Sequence, residues 1–231
     1  ALRSVIYVPH GNSVEKNAAM EAFGAELVVH GADFDEAKDA CMAAADRLDL
    51  HLVPSFHPLL VRGVATYALE LFRATPELDV VYVPIGLGSG VCGVMRARDL
   101  LGLRTKVVGV VAANAPAVAM SFEAGKPVAT NSARTFADGM ACRDPHPEAL
   151  ALMSRGLDRI ITVSDDEIAD AVRLYYSTTH NVAEGAAAAP LAAAIKENAR
   201  NRPGPIGLIM SGGNIDRTAL ATVLEGGTPT P

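Results

Sequence analysis

The chain has no surplus of positive charge, no long apolar run and no cysteine pattern, and each shortage removes a class of protein. Its 20 Lys plus Arg are outnumbered by 26 Asp plus Glu, for a formal charge of −6. The basic stripe of a nucleic-acid binder is therefore missing, and no nucleic-acid partner is expected. The longest nearly apolar run, Val107 to Met120, falls short of the roughly 20 residues that a membrane-spanning helix needs, so no membrane partner is expected either. Three cysteines, Cys41, Cys92 and Cys142, lack metal-ligand spacing. An odd count without a signal peptide points to a reducing compartment, and the cytoplasm is the expected location. The six histidines include no pair at i, i+4 on one helix, so a zinc site is not expected. No GxSxG elbow and no internal repeat is present.

What is present reads as an α/β protein. The 231 residues, half of them apolar, suffice for one large domain or two modest ones. Short β-branched runs alternate with helix-length amphipathic stretches, the pattern of parallel strands joined by crossover helices. The pattern predicts strands at Ser4 to Val8, Leu27 to His30, Leu52 to Pro54, Val80 to Pro84, Lys106 to Val111, Ile160 to Val163 and Ile206 to Met210. Asn12 with Glu15 resembles a capping box with Gly24 as its helix's left-handed stop, and Asp33 with Glu36 opens a helix to about Arg47. Further helices are predicted from about Leu60 to Arg73 and from the glycine-rich loop to Leu101. Asn114 is expected to cap a helix ending at Gly125, and residues 126–147 to be irregular. Ser164 with Glu167 is the strongest capping box, residues 186–197 form a small-residue helix, and Gly226 to Pro231 is a frayed tail. A domain boundary is placed near residue 54.

The sharpest chemical feature is PIGLGSGVCG, residues 84–93, which follows a buried strand and opens a helix. Glycines let backbone N–H groups crowd round an anion, and the helix N-terminus adds a favourable dipole, so a phosphate site is expected here. Gly88, Gly90 and Gly93 also spell GxGxxG. A dinucleotide site, however, needs an acid roughly 20 positions on to hold the ribose. The next strand instead runs out through Val110, Val111, Ala112 and Ala113, with no acid before Glu123. A second feature is the turn Ser211 to Asn214, directly after a strand. In a parallel sheet both loops lie beyond carboxyl ends of strands, where ligands bind, and they can face one pocket. The Ser211 hydroxyl either bonds a ring nitrogen or merely stabilises its turn. Glu184, among small apolar residues, is either ligand-facing or a helix cap. Cys92 lies in the first turn after the loop, where a thiol pKa can fall, yet a buried apolar filler is the expectation.

Seven stretches, taken in order, resemble the fold-type II pyridoxal-phosphate enzymes, most closely the serine/threonine dehydratases (threonine ammonia-lyases) and serine racemases. They are VPHGNSVEKNAAMEAFGAELVVHGADFDEA (residues 8–37), HPLLVRGVATYALEL (57–71), the loop at 86–90, FADGMA (136–141), TVSDDEI (162–168), VAEGAAA (182–188) and LIMSGGNID (208–216). The resemblance implies a tryptophan synthase β-like α/β fold, a parallel sheet with helices on both faces, and pyridoxal 5'-phosphate as cofactor. It implies a partial small domain over residues 1–53, a large cofactor-binding domain over 54–225 and a flexible tail over 226–231. By the same resemblance, the backbone amides of Gly86, Leu87, Gly88, Ser89 and Gly90 hold the cofactor phosphate, and Ser211 hydrogen-bonds the pyridine nitrogen. A neutral hydroxyl at that nitrogen does not enforce a protonated ring. The implied reaction converts threonine, serine or a related 3-hydroxy amino acid to a 2-oxo acid and ammonia. The implied partners are that small-molecule substrate and further copies of the chain, in a homodimer or larger.

Two motifs of that family are missing from these 231 residues. One is the serine, aromatic, lysine, x, arginine stretch whose lysine carries the cofactor; the other is the serine, glycine, asparagine loop that cups ring and substrate carboxylate. Lys16, Lys38, Lys106, Lys126 and Lys196 all read as solvated side chains in polar settings. No catalytic residue is therefore assigned, and roughly the family's first third is expected to lie outside the chain. A non-catalytic, phosphate-ligand-binding protein of the same fold stays open as the alternative. GLGSG stands where many relatives have four consecutive glycines, so Leu87 is expected to point away from the cofactor. The divalent-cation ligands of serine racemases would fall near Val111, Ala115 and Ala117, none with a side-chain oxygen, and no metal is expected there.

Overall fold

Valine-rich runs form two separate parallel sheets in the computed structural model, which describes residues 2–199 and 204–231. The chain divides into two compact units. One holds the residues up to Pro54 together with Asn214–Ala221; the other holds Ser55–Gly213 and Thr222–Pro231.

In the first unit, strand β1 (Val5–Val8), helix α1 (Val14–Ala22), strand β2 (Glu26–Val29) and helix α2 (Phe34–Leu48) follow one another. β1 pairs with β2 in parallel, Val5 opposite Glu26 and Val8 opposite Val29, with α1 as the crossover. The cap of α1 is Ser13, whose hydroxyl accepts from the Lys16 amide at 3.1 Å. Asn12, the residue expected to cap, instead donates its side-chain amide to Asn17. Asp33 caps α2 as its spacing predicts, accepting from the Glu36 amide, while the Glu36 carboxylate accepts from the amide of Ala32. Residues 52–54 form no strand, because no neighbouring ladder takes up their backbone groups. The segment 214–221, expected within the large domain, joins this unit through its hydrogen bonds. Asp216 accepts from the Ser13 hydroxyl and the Val14 amide, and the Arg217 amide donates to Glu15.

The second unit opens with α3 (Pro58–Ala74), β3 (Val80–Pro84), α4 (Ser89–Leu100), β4 (Lys106–Ala112) and α5 (Ala117–Ala124). A 3-10 turn (Asp138–Met140), α6 (Pro147–Met153), β5 (Arg159–Val163), α7 (Asp165–Thr179), α8 (Gly185–Lys196) and β6 (Ile206–Leu208) follow. The last helix, α9 (Arg217–Leu224), begins in the first unit and ends in the second. The four strands lie in the order β5-β4-β3-β6, all parallel. Because β3 and β4 are central, both their faces are covered, and Val80 to Val83 and Val107 to Ala112 read as unbroken apolar runs. Side chains alternate across the sheet. Val81 and Val83 pack with Phe72 of α3 and Val91 and Val94 of α4, whereas the Tyr82 hydroxyl donates to Glu197 at the end of α8. Helices thus cover both faces.

Three local expectations change here. α5 starts at Ala117 without any side-chain cap, so Asn114 does not cap it. α6 opens at Pro147, the last residue of the stretch expected to be irregular, and runs on through residues for which no helix is predicted; a short helix opened by Pro147 carries too little periodicity to stand out. The segment 226–231 is not frayed. Arg173 donates to the carbonyls of Val223 and Gly227 at 2.9 and 3.0 Å, the Thr228 hydroxyl donates to Asp166, and Pro229 is buried.

Candidate functional site

The tips of β3 and β6 are neighbours. Tyr82 lies opposite Leu208, and the Ile209 amide donates to the Tyr82 carbonyl at 3.0 Å, so the segments leaving both strands emerge side by side. After β3, the Ile85 amide adds one more bond to β4 through the Val110 carbonyl, and the chain then turns through Gly86 to Gly88 into α4. Two of these glycines are obligatory. A Cβ on Gly86 would meet the Gly139 carbonyl oxygen at 2.4 Å, and Gly88 holds φ at +103°, a conformation side chains oppose. None of the amides of residues 86–90 donates to a backbone carbonyl among the described residues. Those of Ser89 and Gly90 open α4, where a helix has no internal acceptors and its dipole favours an anion.

Gly86, Leu87, Gly88, Ser89, Gly90 and Ser211 all line one cavity of about 740 Å³, within the range of small-molecule sites. Val64, Tyr67 and Leu71 of α3 form one wall, and Gly139, Glu184 and Ala186 form another. Glu184 stands at the N-cap position of α8, but its carboxylate makes no capping bond. Its amide donates to the Gly212 carbonyl at 3.1 Å, and its Oε1 would lie 3.0 Å from a Cβ on Gly212, which fixes the acid at the Ser211 end. Of the two readings open for Glu184, the cavity-facing one holds.

Among the described residues, no lysine or arginine lines the cavity. Lys196 donates to the Thr162 carbonyl and Glu167, and Lys38 pairs with Asp35. Burial pushes the Tyr67 hydroxyl up to about 12, so it is a neutral donor at ordinary pH. Cys92 is outside the lining; burial pushes its thiol up to about 11, against a small opposing pull from Arg96. It is a buried filler rather than a thiolate.

The residues fit a flat phosphorylated ring. Free loop amides suit the phosphate, the Ser211 hydroxyl makes no hydrogen bond among the described residues, and the cavity has room for the body between them. Sequence reasoning missed Tyr67 and Gly139. Val64, Tyr67 and Leu71 lie at helical spacing inside the helix predicted from about Leu60 to Arg73, a pattern that does not tell a cavity wall from core, and Gly139 lies inside FADGMA, whose resemblance carried no residue role.

A sequence profile described as pyridoxal-phosphate dependent enzyme matches residues 1–212. The chain belongs to this family. Two curated relatives are an L-threonine ammonia-lyase of Geobacter sulfurreducens, 32% identical over 97% of this chain and 56% of its own length, and a biosynthetic L-threonine dehydratase of Salmonella typhimurium, 34% identical over 97% and 44%. The chain thus spans about half the length of the curated relatives it matches. Among solved structures, the processed form of threonine deaminase isoform 2 from Solanum lycopersicum superposes with a TM-score of 0.87 at 28% identity, covering 96% of this chain and 66% of that one. Maize serine racemase shares the fold with a TM-score of 0.86 at 24% identity, covering 97% and 70%. The architecture is that of the fold-type II pyridoxal-phosphate enzymes.

Proposed function

We propose that the whole protein is a pyridoxal-phosphate-dependent ammonia-lyase that converts threonine, serine or a related 3-hydroxy amino acid to a 2-oxo acid and ammonia. One observation carries this reading: the amide-rich loop at 86–90 and the Ser211 hydroxyl open onto the same cavity. The amides of Gly86, Leu87, Gly88, Ser89 and Gly90 hold the phosphate, and Ser211 holds the ring nitrogen. When bound, pyridoxal phosphate supplies the electron sink for loss of an amino acid's α-proton and β-hydroxyl. Ser211, a neutral partner, leaves the ring nitrogen's protonation unforced, which suits elimination better than reactions needing the deepest sink. Val64, Leu71 and Val83 give the cavity an apolar wall. A cytoplasmic location and a homodimer or larger belong to the same proposal; no helix among the described residues is long and apolar enough to cross a membrane.

With cofactor bound, the whole protein should release ammonia and 2-oxobutyrate from threonine, or pyruvate from serine. The alternative is a phosphate-ligand-binding protein of the same fold without catalysis. Cofactor binding that protects against melting, with no ammonia from any hydroxyamino acid, would establish that alternative.

A further inference from the structure

Besides Glu184 at the Ser211 end, Tyr67 is the polar side chain in the cavity wall, among the described residues, that neither the loop nor Ser211 accounts for. It projects from α3 on the face shared by Val64 and Leu71, and its hydroxyl makes no hydrogen bond among the described residues. That hydroxyl is the nearest atom, at 3.7 Å, to the point a Cβ on Gly90 would occupy. It therefore stands beside the first turn of α4, where the amides of Ser89 and Gly90 have no carbonyl partner. Among the described residues no lysine or arginine lines the cavity, and the Glu184 carboxylate sits at the Ser211 end, so an anion beside the first turn of α4 meets neutral donors and the helix dipole. A donor held by packing on a helix, already desolvated, is well suited to such an acceptor, because hydrogen bonds to charged groups are the stronger kind. Burial also keeps the phenol protonated well above neutral pH.

We infer that Tyr67 donates its hydroxyl to the phosphate of the bound cofactor, adding a side-chain clamp to the main-chain cradle of residues 86–90. The inference rests on the pyridoxal-phosphate reading above. The whole protein and its Tyr67→Phe variant are each titrated calorimetrically with pyridoxal 5'-phosphate and with pyridoxal, which lacks the phosphate. Tyr67→Phe should bind pyridoxal 5'-phosphate about tenfold more weakly, equivalent to about 1.4 kcal/mol, and pyridoxal within about twofold of the parent. Equal losses for both ligands, or no loss for either, overturn the clamp and leave the cofactor reading standing. If the parent protein binds neither ligand, the cofactor reading fails and the clamp with it. A second measurement needs no variant: in the fluorotyrosine-labelled parent protein, the Tyr67 resonance should shift with pyridoxal 5'-phosphate and stay in place with pyridoxal. No phosphate-dependent shift overturns the clamp even where Tyr67→Phe fails to fold.

Discussion

The loop after β3 and the turn after β6 serve one cavity by opposite means. Residues 86–90 offer main-chain amides, and Gly86 and Gly88 matter by lacking a side chain, whereas the other turn offers a single hydroxyl on Ser211. A main-chain cradle is tied to the backbone path and cannot be altered without disturbing the fold. A side-chain donor can be removed almost cleanly. Damage at the first should therefore register in stability and at the second in affinity.

The largest effect is expected from Gly86→Ala. Its Cβ would meet a backbone oxygen that cannot swing aside, and overpacking of this kind costs about 1–3 kcal/mol, here toward the upper end. Urea unfolding should show it, with loss of pyridoxal 5'-phosphate binding; an unchanged midpoint would break the contrast from the loop side. Cys92 comes next and tests whether the start of α4 offers its amides while withholding its thiol. Its folded pKa of about 11 lies above the ordinary 9.0, so the stabilisation is complete below pH 9 and is lost as the pH climbs through 11. About 1 kcal/mol should be gone by pH 10, a loss absent from Cys92→Ala, and native-state alkylation of Cys92 at pH 8 should be very slow.

Ser211→Ala should weaken pyridoxal 5'-phosphate by about fivefold, in line with a net hydrogen-bond contribution near 1 kcal/mol, without moving the unfolding midpoint. A matching loss of stability would erase the contrast from the other side. The smallest effect belongs to Ser89→Ala, which removes a side chain from a position whose contribution is its amide. Its affinity should stay within about 0.5 kcal/mol of the parent by the same titration. A drop as large as that of Ser211→Ala would mean that the loop, too, works through side chains.

Much of this contrast was legible in the sequence. Val80 to Pro84 running into GLGSG is a strand, a turn and a helix start with each signal intact, and Ser164 with Glu167 forms the reciprocal capping box its spacing announces. Such features are local: a few neighbouring residues contain the whole physical cause. Reading failed where the cause was distant. Asp216 captures Ser13 from about two hundred residues away, and Arg173 secures the tail through carbonyls at Val223 and Gly227. Tyr67 gave no signal because a helical stripe is the same pattern whether it faces packed side chains or a cavity.

By itself, then, the amino-acid order determined which segments become strands and helices at the centre of the sheet, and that a glycine-rich turn would precede α4. Those outcomes follow from periodicity, φ preferences and capping chemistry, all short-range. Only the tertiary structure decided that β6, more than a hundred residues after β3, becomes its neighbour. That single pairing brings Ser211 to the glycine loop, and it depends on burying both strands together rather than on any residue near either turn.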